Sequence, residues 1–222
     1  MAISIKKNAL NKMLILLVSL SAGVMIGDAF LHLIPEAAAN GFTTQTALLI
    51  LTGITFFFIL EKFIHWKHCH LHPSHNHKPS YVIMNLVGDA VHNFIDGLLI
   101  GASYLLSIPV GIATTIAVAL HEIPQEIGDF AVLTHGGFSR HKALGLNFLT
   151  ALTAVIGAVL AIYLSGQITG LTNFLIPFAA GHFIYIATAD LIPELHKEEN
   201  LEKSTLQILW FILGIGIMYA IL

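Results

Sequence analysis

Two stretches of the chain hold residue types that could handle a metal ion, and both hold them at helical spacing. Ala119 to Phe130 reads ALHEIPQEIGDF and carries His121, Glu122, Gln125, Glu126 and Asp129. Gly88 to Gly97 reads GDAVHNFIDG and carries Asp89, His92, Asn93 and Asp96. Residues four apart share a helix face, so His92 pairs with Asp96, Asp89 with Asn93, His121 with Gln125 and Glu122 with Glu126. Pro124 removes one rung of the helical ladder, which frees the Leu120 carbonyl and kinks the helix.

A short turn near Ser107-Pro109 joins the two stretches and makes their helices antiparallel neighbours. His92 lies about 15–16 residues before that turn and His121 about 12–13 after it, so at ~1.5 Å per residue they reach a similar depth. A site there offers two imidazoles, the carboxylates of Asp96 and Glu122, and the amide oxygens of Asn93 and Gln125. Imidazole suits zinc and its first-row neighbours, and the oxygens add harder donors. The single cysteine, Cys69, is not at this depth, which argues against tight thiolate-rich storage. A carrier needs ligands from several helices that bind well enough to strip water yet let the ion leave. The bland alternative is a polar network that only holds helices together. So many ionisable groups on two facing apolar helices argue for a site instead.

The elements that must position these residues are membrane helices. The chain has 222 residues, 56% hydrophobic and 10% charged, against about 25% charged in an ordinary soluble domain. A spanning helix needs about 20 apolar residues. The qualifying segments are Met13–Ile34, Thr43–Ile64, Tyr81–Leu105, Ile108–Leu133, Leu144–Leu164, Leu171–Ile192 and Leu206–Leu222. Asn40-Gly41, Ser107-Pro109, Gly136-Gly137, Gly166 and Gly170 supply turns between them. The fold class expected is therefore all-α, a polytopic bundle of seven transmembrane helices forming one domain over residues 1–222. The third and fourth helices, polar in their middles, should be central. No internal repeat is evident.

Lys and Arg fix the orientation. With seven spans all of them fall on one side, which the positive-inside rule makes cytoplasmic. The N-terminus is then cytoplasmic and the C-terminus external. The cytoplasmic loop over residues 65–80 carries His65, His68, His70, His72, His75, His77 and Cys69, a composition that reads as loose metal binding. Asp28 and His32 stand four apart near the external end of the first span. His182 reads as a hydrogen-bonded interior residue and Asn147 as packing glue. Ala151, Ala154, Gly157 and Ala158 permit close helix packing, a homodimer included. The formal net charge of −3 suggests no nucleic-acid partner.

In order along the chain, GDAFLHLIPE, EKFIHWKHCH, HNFIDG, HEIPQEIGDF and AAGHFIYIATADLIPELHKE resemble the ZIP (Zrt/Irt-like) metal-ion transporters, above all the subgroup with HEIPxE. The resemblance implies a multi-pass protein moving zinc, and in some members Fe2+, Mn2+ or Cd2+, into the cytoplasm, with the plasma membrane its expected place. It implies a binuclear centre. One ion would lie on His92 and His121, with His32 contributing, and the other on Asn93, Asp96 and Glu122. Asp96 and Gln125 would bridge, and Asp28 would lie near the external entrance. The family usually has eight spans, and the first span here resembles the family's second. Many members of the subgroup have His where Gln125 stands. An enzyme is not expected: HEIPQE departs from the HExxH of metalloproteases, since Gln125 follows where the second His would be. A seven-span zinc hydrolase and a non-transporting metal-binding relative are the competing readings.

Overall fold

The computed structural model describes residues 7–66 and 80–221. Among these residues lie seven long helical rods and no strand. Rod α1 runs Lys7–Asp28, opens into a π-turn at Ala29–Leu33 and closes as Ile34–Ala37. Rods α2 (Thr44–Trp66), α3 (Ser80–Leu106), α4 (Ile108–His135) and α5 (Arg140–Ser165) follow. Rod α6 runs Leu171–Ile186, a second π-turn at Ala187–Leu191 and Ile192–Leu195, and α7 spans Leu201–Ile221. The all-α bundle and its seven segments are those expected. Five rods, α1, α2, α5, α6 and α7, are long and apolar enough to cross a membrane. The other two, α3 and α4, carry the polar residues singled out above.

Local chemistry sets the ends. Gly41, Gly137 and Gly170 sit at φ 104°, 87° and 79°, left-handed conformations that glycine adopts without strain, at three of the expected turns. Ser107 starts α4 by accepting the Val110 N–H at 3.3 Å, with Pro109 in the first turn. Ser139 caps α5 through the Lys142 N–H at 3.4 Å. That cap starts α5 at Arg140 rather than at the apolar Leu144, because apolar length measures the bilayer and not the helix.

Four rods form the inside. The spanning windows of α1 and α6 are 56% and 61% buried, against 17% for each of α2, α5 and α7. The inner rods are α1, α3, α4 and α6; α7 backs α1, α2 backs α6 and α5 backs α3. Each of those seams closes on facing glycines: Gly23 with Gly214, Gly53 with Gly181, Gly97 with Gly157. A Cβ on Gly97 would stand 1.9 Å from the Ala154 carbonyl oxygen, and one on Gly181 2.1 Å from that of Ile50. Small residues let helix backbones meet in this way. Gly157 and the backbone of Ala154 and Ala158 are therefore used against α3, within the chain. The outer faces are apolar, with Phe58 on α2, Phe148 and Ile156 on α5 and Leu209 on α7 exposed.

Both π-turns precede Ile-Pro-Glu, at Ile34-Pro35-Glu36 and Ile192-Pro193-Glu194. Proline has no N–H to continue the ladder, and the residue before it bonds five back, Ile34 N–H to Ala29 O and Ile192 N–H to Ala187 O. The π-turn of α1 packs on α6 and that of α6 on α1, so the two rods run antiparallel with matching defects. The sequence repeats only the short string Leu-Ile-Pro-Glu, at Leu33–Glu36 and Leu191–Glu194, which by itself does not show that both sites open into π-turns.

Candidate metal centre

The depth argument for the α3–α4 hairpin holds: His92 Nε2 and His121 Nε2 face each other at 3.2 Å. Asp96 Oδ2 lies 3.1 Å from His121 Nε2 and 3.5 Å from His92 Nε2. Glu122 Oε1 lies 3.4 Å from His92 Nε2 and 3.6 Å from His121 Nε2. These four donors all lie within 4.8 Å of one another. Tetrahedral zinc with bonds near 2.0–2.2 Å has ligand-to-ligand edges of about 3.3–3.6 Å, close to the spacings found.

The donor set also fits a cation by its unmet bonding. His121 Nδ1 lies 3.0 Å from the Ala117 carbonyl oxygen. A carbonyl can only accept, so Nδ1 carries the proton and Nε2 turns its lone pair to the centre. Asp96 is fully buried, and neither of its oxygens nor either oxygen of Glu122 has a hydrogen-bond donor. Buried polar atoms nearly always have partners, and acceptors gathered without donors are what a metal ion satisfies.

The helices that carry the donors are held from behind. The carbonyl freed by Pro124 is taken up: Ser21 Oγ on α1 lies 2.6 Å from Leu120 O and 2.7 Å from Leu17 O of its own helix. Its one proton serves both, and it ties α1 to the turn of α4 before His121. On α3, Gly97 follows Asp96 directly, so the α5 seam supports the turn that presents the carboxylate.

Asp89, Glu122 and Glu126 form a second group of donors, which shares Glu122 with the first. Asn93 Nδ2 donates to Asp89 Oδ1 at 2.8 Å, so Asn93 braces this group. The resemblance implied Asn93, Asp96 and Glu122 for a second ion; Asp89 and Glu126 are the donors that the structure gathers beside Glu122. Their signal was their i,i+4 pairing. Asn147 Nδ2 donates to the Glu126 carbonyl at 2.8 Å, joining α5 to α4. One turn further, Asn85 Nδ2 donates to Asp129 Oδ1 at 2.8 Å.

Gln125 lines a cleft of ≈ 210 Å³ with His92, Asp89, Asp129, Glu61 and Asp190. The Tyr185 hydroxyl there donates to Glu61. The cleft leads from His92 towards the bundle end that carries Lys62, Arg140 and Lys197. Asp28 and His32 pair at 3.1 Å on the other side of the centre, and Thr114 Oγ1 donates to Asp28 Oδ2 at 3.1 Å. Thr114 lies about two turns, ~10 Å, before His121 on α4, so His32 is not brought to the His92–His121 group.

His182 on α6 is fully buried, with Nε2 3.1 Å from Asp96 Oδ1. It was read as a hydrogen-bonded interior residue, but neither ring nitrogen completes a hydrogen bond. Its polar neighbour comes from a distant helix, which spacing on its own helix could not signal. Of the His-rich loop, residues 67–79 lie outside the described residues.

The family described as "ZIP Zinc transporter" matches residues 1–82 and 67–222, the whole chain. A Drosophila melanogaster protein named "Zinc transporter ZIP13 homolog" is 31% identical over 96% of this chain and 78% of its own length. The Pongo abelii "Zinc transporter ZIP13" is 35% identical over 91% of this chain and 65% of its own. The Caenorhabditis briggsae "Zinc transporter zipt-7.1" is 30% identical over 93% and 70%. A multi-pass α-helical chain whose two most polar helices converge on a buried set of metal donors, and which is matched end to end in this way, belongs to the ZIP family of zinc transporters.

Proposed function

We propose that this ZIP-family chain carries zinc inward, towards the cytoplasm, through the α3–α4 centre. The observation that carries the reading is the set of donors His92, Asp96, His121 and Glu122 around one point, with the oxygens of both carboxylates left without a hydrogen-bond partner. A first ion sits on these four, and a second on Asp89, Glu122 and Glu126 with Asn93 and Gln125 beside it. Asp28 and His32 receive the ion on the external side, and the acidic cleft below His92 releases it. The one-sided Lys and Arg support a cytoplasmic N-terminus and an external C-terminus. Fe2+, Mn2+ and Cd2+ are the competing cargoes, since imidazole with carboxylate serves each of them. A homodimer would use an outer lipid-facing surface, because the small face of α5 is taken by α3.

The test is zinc influx into reconstituted vesicles holding a zinc-sensitive dye. Wild-type protein should give saturable influx and His121→Ala none above empty vesicles. Equal influx from both would remove the centre from the transport path. Lipid or peptide hydrolysis without flux would favour a zinc hydrolase instead.

A further inference from the structure

The Asp96 carboxylate is addressed from two sides. His121 Nε2 stands 3.1 Å from Oδ2, and His182 Nε2 stands 3.1 Å from Oδ1. His182 is fully buried, and neither of its ring nitrogens nor Asp96 Oδ1 completes a hydrogen bond, so the 3.1 Å approach leaves a donor and an acceptor side by side with their bonding capacity unspent. The ring is held in place by packing. The Gly53–Gly181 seam draws α2 onto α6 beside it, and the Phe57 ring of α2 lies across it at 86°. His182 is not among the four donors that surround one point; its ring lies beside that of His92, with centroids 5.2 Å apart, and Asp96 Oδ1 is the oxygen of the centre that its Nε2 faces.

That placement bears on how Asp96 can bind. A carboxylate free on both oxygens can turn both to an ion, which raises the coordination number and suits larger cations. A carboxylate with one oxygen already held offers only the other, which suits four-coordinate zinc. We propose that His182 is a positioning residue: its Nε2–H is given to Asp96 Oδ1, so that Asp96 meets the ion through Oδ2 alone, and the centre thereby prefers zinc to larger divalent ions such as manganese. The inference rests on the α3–α4 centre being the transport site.

The experiment uses the full chain in vesicles with an internal zinc dye, measuring influx against zinc concentration with and without competing manganese. Partners that orient a ligand in this way are worth roughly 10–100-fold in metal affinity. His182→Phe keeps a ring against Phe57 and removes the donor. It should raise the half-saturating zinc by about that 10–100-fold factor, leave the maximal rate within about threefold, and let manganese compete more strongly. His182→Gln places an amide N–H near the Nε2 position and should restore wild-type saturation and selectivity. A His182→Phe protein with wild-type saturation and manganese competition overturns the proposal, as does a His182→Gln protein impaired as much as His182→Phe. Should His182→Phe not fold, His182→Gln decides alone: wild-type saturation supports the proposal, and a tenfold or larger rise in half-saturating zinc, at the lower edge of that range, overturns it. His121→Ala run alongside separates the two levels, since saturable zinc influx from that variant defeats the centre itself, whatever His182 does.

Discussion

Glu122 is the residue on which the two donor groups meet. Glu126 and Asp89 belong to one group only, and His92, Asp96 and His121 to the other. Zinc bound per chain, measured on purified protein by equilibrium dialysis, should therefore be two ions for wild type and one for Glu126→Gln. Glu122→Gln should weaken both ions together. Two ions retained by Glu126→Gln would remove Glu126 from the second site. The residues of the first group were legible in the sequence because helical spacing and the short Ser107-Pro109 turn fix both face and depth. His182 was not, because an isolated polar residue on an apolar helix carries no sign of which distant helix it will meet. Asp28 and His32 were legible as a pair but not as a location: spacing gives their face, and only the packing of α1 on α4 places them with Thr114 rather than with His121.

At the scale of elements, the seven rods were legible because twenty-residue apolar runs are set by bilayer thickness. The two π-turns were not. Proline marks where the ladder breaks, but whether the α-helix runs on through the gap, as at Pro124, or takes in an inserted residue, as before Pro35 and Pro193, depends on the helix packed alongside. The glycines at the seams were visible only as small residues until their partners were known. Gly157→Ala tests one of them: its new Cβ would stand 2.1 Å from the Phe94 carbonyl oxygen, on the helix that carries Asp96. The α3–α5 pair must spread, at a cost of about 1–3 kcal/mol. Thermal unfolding in detergent should fall accordingly, and half-saturating zinc should rise because the Asp96 turn shifts with α3. Unchanged melting and unchanged saturation would show that the seam tolerates a methyl group.

The whole molecule is an inner set of α1, α3, α4 and α6 with α7, α5 and α2 behind three of them. Three of the contacts that join site residues across helices, Ser21 to Leu120, Asp28 to Thr114 and Asp96 to His182, run between inner rods, whereas Tyr185 to Glu61 joins α6 to α2 and Asn147 to Glu126 joins α5 to α4. A disulfide across the α2–α6 seam should then leave zinc influx unchanged, while one fixing α1 to α4 should abolish it until reduced. Influx that survives the α1–α4 bridge would mean that those rods do not move apart. Backbone seated on backbone leaves no side chain between two helices to re-pack, so each seam removes a sliding freedom. In mechanical terms the three glycine seams make α1–α7, α2–α6 and α3–α5 rigid bodies, and the ion-handling residues are the joints between those bodies and α4.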